Sequence, residues 1–326
     1  MAAIETSAPP VKGRAAGRPT VRRKRTVGQR LRHDWPLLLM SAPALAQLAV
    51  FFYWPSSWNI IAFMDYSAYR PFWDNPFVGF AWFERLFSDP YFVPALLNTL
   101  KFSALNLMFL FPLSIALALI MHSVVSTKVR SVFQSIVYLP YFFSWVLVVT
   151  IFVQVLGADG LVSNWLLGLG GDRLDIMSDP STFTFLAWLQ WAWKDAGWGM
   201  IIFLAALASI NPSLYEAAAV DGAGRWKRMW HITIPGIRPV IVLLLILHIG
   251  NILTVGFEQY QLQRAAVGYQ TTEVLDTFVY YRGIQDAAYS FGTAAGLFKG
   301  VIGLILILVA NNVAHRLGEQ GIYQKS

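Results

Sequence analysis

Six uninterrupted apolar stretches, each about as long as a bilayer is thick, limit what this chain can fold into more than any other feature. They run from Trp35 to Met64, Phe102 to Met121, Val132 to Leu156, Thr182 to Ile210, Val240 to Phe257 and Tyr289 to Ala314. A hydrocarbon core of roughly 30 Å takes about 20 apolar residues as a helix, and in lipid only helices and closed barrels satisfy every backbone N–H and C=O. Barrel strands are about 9–11 residues long and alternate in polarity, whereas these runs are longer and continuously apolar. The expected fold is therefore all-α, a polytopic membrane protein with six transmembrane helices. With 56% hydrophobic and 13% charged residues, the composition lies outside soluble usage.

The charges predict a sidedness. With the spans numbered in order, the N-terminal segment, the second and fourth connections and the tail lie on one side. That side carries 17 of the 25 Lys and Arg and 5 of the 18 acids, against 5 and 12 on the other. Basic excess marks cytoplasmic loops, so both termini are expected in the cytoplasm. Residues 1–34 hold nine Lys or Arg among scattered Pro and Gly and read as a disordered basic cytoplasmic arm. Residues 35–314 form the transmembrane domain and 315–326 a short cytoplasmic tail. The small residues Ser41 to Ala46 suit a signal peptidase, but the apolar run before them is only about six residues and hydrophobicity continues to Met64, so an uncleaved first span is expected. The net charge of +7 is accounted for by loops and tails, and the arm lacks the aromatic interleaving of a nucleic-acid binder, so no nucleic-acid partner is expected.

Several chemistries are excluded. Without cysteine there is no disulfide, thiolate nucleophile or Cys-based metal site. No phosphate loop, His-Glu-x-x-His or Gly-x-Ser-x-Gly occurs, and His33, His122, His231, His248 and His315 are scattered, so no catalytic, cofactor or metal residues are expected. A membrane-embedded transferase needs an acidic cluster at the membrane face, and the outside acids are dispersed over three loops. Proton-coupled transport needs more intramembrane partners than Asp195, Lys194 and His248.

The connection between spans four and five, residues 211–239, is the most informative segment. Asn211-Pro212-Ser213 opens a short helix, the Ala-rich run from Glu216 propagates it, and Gly222 with Gly224 permits a bend or a close contact. Pro235 and Pro239 are expected to delimit the start of span five. The segment reads Glu216-Ala217-Ala218, three residues, Gly222, nine residues, Ile232, one residue, Ile234, Pro235. This spacing resembles the EAA signature of permease subunits of bacterial ABC importers, with Ile234 where that signature has Leu. The segments Phe63–Ser67, Phe87–Phe92, Tyr138–Trp145 and Thr277–Gly283 are similar to the carbohydrate branch of that family, in particular to permeases for oligosaccharides from complex polysaccharides. The resemblance implies a six-helix permease that imports oligosaccharides across the cytoplasmic membrane by alternating access. It implies a second homologous permease, two ATPase subunits that hydrolyse the ATP and an extracytoplasmic solute-binding protein as partners, with membrane lipid around the bundle. It also implies that Glu216, Ala217, Ala218, Asp221, Gly222 and Ala223 form the helix that docks on the ATPase. An ABC permease for a non-sugar solute such as a glycerol phosphate is the alternative.

Candidate residues for a substrate path are Trp188 and Trp191, three apart on one face of span four, together with Asn251 and Gln259. Aromatic faces stack on sugar rings and amides bond their hydroxyls, but tryptophans also belong to interfacial and packing positions, and both readings stand at this point. His248, Asn251 and Thr254 recur every three residues and would give span five one polar stripe. A structural bond to a neighbouring span suits Lys194 and Asp195 as well as a functional role does, and pairing or snorkelling suits Lys299. The external loop from Glu258 to Ala288 is long enough to touch a binding protein.

Overall fold

The computed structural model describes residues 27–124, 126–319 and 321–323, with side chains from Asp34 onward. Most of the expected basic arm and the last residues of the tail lie outside the described residues, although helical backbone already begins at Val27. The chain divides into two compact units, residues 1–58 and 59–326. The described part of the first is helical, and all that follows concerns the second unless stated.

Among the described residues the regular secondary structure is helical, with one isolated bridge between Met64 and Phe77. Helices long and apolar enough to cross a membrane are α1 (Asp34–Phe63), α3 (Phe92–Ser123), the run Trp145–Gly168, α9 (Arg225–Gly250) and α12 (Tyr289–Arg316). A sixth arises where α7 (Phe183–Ala208) and α8 (Pro212–Val220), bent by 69° at the short link between them, count as one. Shorter helices are α2 (Ala81–Ser88), α4 (Thr127–Tyr138), α5 (Trp145–Leu156), α6 (Leu161–Gly168), α10 (Glu258–Val267) and α11 (Leu275–Phe278).

Proline explains why the long helices deform where they do. Widened π-turns occupy Ala49–Tyr53, Asn106–Leu110 and Met229–Thr233, and the helical segment after each has Pro55, Pro112 or Pro235 as its second residue. A proline ring collides with the carbonyl four residues back and offers no N–H to it, and a wider turn accommodates both.

Five sequence expectations are corrected by this geometry. Span five does not start behind Pro235 and Pro239, because the π-turn lets the helix run through both from Arg225. It also stops early, at Gly250, so His248, Asn251 and Thr254 do not form a stripe on one helix. The expected third span is broken. Its first part, α4, ends in a 3-10 turn over Leu139–Phe142 that contains Pro140, and α5 starts afresh with Ser144 as its N-cap, accepting from Leu147 N. The second span begins at Phe92 rather than Phe102. Finally, residues 258–288 are not a loop but an ordered helical insertion, with Tyr260 and Phe278 almost wholly buried.

Helix α7 lies at the centre and touches α3, α4, α5 and α9. Toward its C-terminal end Met200, Phe203 and Leu207 pack with Phe111, Ala118 and Met121 of α3 and Ile237 of α9. Toward its N-terminal end Phe183 and Ala187 meet Phe102, Val255 and Tyr260. Contact with α4 requires Gly197, since a Cβ there would lie 2.8 Å from the Tyr138 Cα and closer still to the Val137 carbonyl oxygen. Backbone cannot yield as a flexible side chain can. Gly197→Val should therefore cost about 1–3 kcal/mol of overpacking. A lowered thermal midpoint of the detergent-solubilised protein checks this, and an unchanged midpoint would show that α4 does not approach α7 so closely.

Candidate functional site

The bundle encloses a cavity of about 380 Å³ bounded by α3, α7, α9 and the irregular stretch after α9. Its walls are mixed. Phe111, Trp191, Trp198 and Leu247 give apolar surface, and Ser103, Asn106, Ser114, Asp195, His248, Asn251 and Thr254 give polar groups. Asn106 lies on the π-turn of α3. Asn251 follows the last turn of α9, where its Nδ2 donates to the Leu247 carbonyl at 2.9 Å, the same oxygen that accepts from its backbone N–H at 3.2 Å. Irregular backbone at membrane depth is tolerated where it is covered by protein or lines a cavity, and residues 251–255 do the latter.

A second cavity of about 370 Å³ adjoins the first, since Trp191 and Asp195 line both. Its remaining lining is Tyr141, Phe143, Ser144, Trp145, Lys194 and Glu258. The break between α4 and α5 leaves the Tyr141 carbonyl without a helical partner, and the buried Lys194 supplies one, its Nζ donating at 2.8 Å. The same ammonium lies over the rings of Tyr141 and Trp145, 5.3 and 5.7 Å from their centroids. A cation at the C-terminal end of a helix also meets the favourable end of its dipole. Of the two readings of Lys194, the geometry supplies the structural one. Trp198 stacks on Tyr141 at 4.7 Å and 8°, which closes this corner.

Of the four residues expected along a path, Trp191 and Asn251 line the larger cavity, whereas Trp188 and Gln259 do not. Trp188 packs between Phe109 and Phe185. Gln259 is buried in an amide triad: its Nε2 donates to Gln190 Oε1 at 2.8 Å and to the Ala187 carbonyl at 2.9 Å, and Gln263 Nε2 donates to the same Gln190 oxygen at 3.0 Å. The triad fastens α10 to α7. Lys299 meets the pairing expectation, forming an ion pair with Asp276, which also accepts from the Gly256 amide at 3.2 Å. Asn106 and Asp276 were not singled out from sequence. A lone amide within an apolar span marked the first, and nothing local marked the second, because its partner is remote in the chain.

Helix α8 protrudes after the bend that follows α7. Asn211 caps its start, accepting from Ser213 N at 3.0 Å. At its end Gly222 takes φ +70°, Ala223 N donates to Ala218 O at 2.9 Å and Gly222 N to Ala219 O at 3.1 Å. This is a Schellman cap, and a left-handed glycine is what it needs. Of the docking residues expected from the motif, Glu216, Ala217, Asp221 and Gly222 are exposed, and Ala218 and Ala223 are partly buried. The helix is tied to the base of α9 by Tyr215 Oη and Thr233 Oγ1, 3.1 Å apart, and by Ile210 lying over Gly236.

Two adjoining cavities of mixed polarity among membrane-length helices, and a doubly capped helix projecting from them, fit a polytopic membrane transport protein. Residues 110–319 match the family described as binding-protein-dependent transport system inner membrane component. The chain belongs to that family and is an inner-membrane permease component. It is 42% identical over 294 residues to Protein LplB of Bacillus subtilis, covering 90% of this chain and 92% of that one. It is also 42% identical over 288 residues to the polygalacturonan/rhamnogalacturonan transport system permease protein YteP of Bacillus subtilis, covering 88% and 90%. A solved bacterial alginate ABC transporter, in complex with an alginate pentasaccharide-bound periplasmic protein, contains a chain that superposes with a TM-score of 0.81 at 38% identity, covering 91% of this chain and 99% of that one.

The triad gives a direct test of Gln259. Gln259→Leu removes two donated bonds, each worth about 0.5–1.5 kcal/mol, while Gln190 Oε1 keeps its bond from Gln263, so the change should cost about 1–3 kcal/mol. Uptake should then fall only as far as the amount of assembled complex falls. Normal assembly with impaired uptake would place Gln259 on the path instead.

Proposed function

We propose that this chain is one permease half of an ATP-driven importer that carries oligosaccharides into the cell, with α8 and its cap, Glu216 to Ala223, as the element on which a partner ATPase acts. The observation that carries this reading is a rigid helix presenting apolar side chains with nothing packed over them: Leu214 is 51% and Val220 90% exposed. With Glu216 and Asp221 exposed beside them, they support a docking role for this helix. The resemblance of Glu216 to Pro235 to the EAA signature supports an ATPase as the partner.

The connection from α8 to the cavities supports a mechanism. Because Tyr215 and Ile210 fasten α8 to the base of α9, a push on α8 reaches α9 as a rigid-body displacement. The other end of α9 carries His248 and Asn251 on the cavity wall, so movement at the docking helix changes the cavity's shape. In this reading the cavity alternates between facing the two sides of the membrane. ATP is hydrolysed by two partner subunits, and a second, homologous permease completes the pore. An extracytoplasmic solute-binding protein delivers the saccharide near the 258–288 insertion. The basic residues around Arg225 to Arg228 face the cytoplasm, as do both chain termini. Saccharide as cargo is supported by the aromatic and polar cavity walls and by the pectic and alginate transporters that this chain is similar to.

The test is ATPase activity of the reconstituted complex with and without binding protein loaded with neutral or uronate oligosaccharides. Stimulation by a loaded form is expected. Glu216→Lys, which sets a cation on the docking face, should lower stimulated hydrolysis and uptake by roughly tenfold, the worth of about 1.4 kcal/mol, at normal assembly. Unimpaired stimulation in that variant would remove α8 from the coupling role.

A further inference from the structure

We propose that residues 65–80, between α1 and α2, form a rigid aromatic anchor that lies in the headgroup region of the membrane, with Tyr69, Trp73 and Phe77 against lipid. The inference goes beyond the transport reading and does not depend on which solute is carried.

The loop is built inside out. At its centre the amide of Asn75 is buried. Its Oδ1 accepts from Ser67 N at 2.8 Å, and its Nδ2 donates to the carbonyls of Pro71 and Phe72 at 3.0 and 3.1 Å. At the base, Asp65 N donates to Pro76 O at 2.9 Å and Val78 N to Phe63 O at 2.8 Å. The rings point the other way: Tyr69 is 99%, Trp73 88% and Phe77 72% exposed. Water favours the reverse, with large apolar groups inside and the amide outside. Turning the rings inward would unmake the bonds of a buried amide, so this loop is shaped to meet surroundings that suit aromatic rings.

Two sets of contacts fix the height of the loop. Met64 and Phe77 form an antiparallel bridge, and the Phe77 ring stacks on that of Phe63, the last residue of α1, with 6.5 Å between centroids. Tyr66 N donates to Ser290 Oγ at 2.9 Å, and the Tyr66 ring lies 6.3 Å from that of Tyr289, the first residue of α12. Phe72 extends this chain of rings from Tyr66 to Trp73. With six spans, the end of the first and the start of the sixth lie on the same side of the membrane, opposite α8. The loop rests against both, so its rings are level with the ends of two spans, where aromatic side chains gather at the boundary between hydrocarbon and water. The charges select the same depth. Asp65, Arg70 and Asp74 are exposed in this loop; hydrocarbon would penalise them and headgroups accommodate them.

The chain has no cysteine, so Trp73→Cys and Phe77→Cys each provide a single labelling site in it. Each variant, carrying a bimane fluorophore, is assembled with cysteine-free partner subunits. The complex is reconstituted in phospholipid vesicles that carry a nitroxide on the lipid headgroup or midway along the acyl chain. Aqueous iodide and the binding protein are added in separate samples. Both labels should lose more emission to the headgroup nitroxide than to the acyl-chain one. The pair of quenchers should place them roughly 15–22 Å from the bilayer centre, between the hydrocarbon edge and the outer limit of the headgroups. Binding protein should leave this quenching unchanged. Loss of emission to iodide and to neither nitroxide puts the loop in water, and stronger quenching by the acyl-chain nitroxide puts it in hydrocarbon; each overturns the anchor. Shielding of both labels by the binding protein makes this face a protein docking surface, and quenching by none of the agents shows a neighbouring subunit over it; both overturn the lipid assignment. The measurement involves no transport, so loss of the saccharide reading would leave its outcome untouched.

Discussion

Backbone amides and carbonyls that lie in a membrane must find partners within the protein, and this structure depends on how it meets that demand wherever a helix ends or breaks. Regular helices satisfy themselves. The interruptions do not, and at several of them a polar side chain from a distant part of the sequence supplies a missing bond. Lys194 serves the Tyr141 carbonyl where α4 gives way to α5. Ser103 serves Ile252 in the stretch beyond α9, and Asp276 accepts from Gly256 at the end of that stretch. The intramembrane polar residues of this chain therefore divide into those that complete the backbone and those that have nothing in the chain to complete.

That division separates scaffold from site. Had Lys194 been free, the smaller cavity would carry a cation ready for an acidic sugar; bound to Tyr141, it acts as a cap. Gln190, Gln259 and Gln263 bond to one another and hold the 258–288 insertion against α7. Buried polar networks of this kind fix one arrangement of helices when their members find partners. Asp195, which has no such bond among the described residues, sits where two cavities meet.

The same economy of placement appears at the proposed docking element. Helix α8 is short, and a helix of nine residues is marginal in isolation. It is held by a cap at each end and by its tie to α9. Gly222 serves through its left-handed backbone and not through any close contact, since open space surrounds the position where a side chain would lie. An L-residue there would cost about 1–2 kcal/mol in that conformation, which gives the glycine of the motif a conformational reason.

The sequence by itself determined the helical class, the approximate place of most spans and the position of α8, because these follow from local properties: continuous apolar length, proline and glycine placement, and the spacing of one motif. Spans one, four and six were legible nearly to the residue. Tertiary structure decided where the third span breaks, where α9 begins and ends, and that residues 258–288 are helical and packed. Those outcomes rest on bonds between residues far apart in the chain, such as Lys194 with Tyr141 and Asp276 with Lys299, and on the capacity of a helix to widen around Pro235. For the same reason Trp188 and Trp191, alike in type and on one face in sequence, have different surroundings: only the neighbouring helices place Trp191 on a cavity wall and Trp188 between Phe109 and Phe185. Periodicity can say which residues share a face, but what that face meets is settled by packing.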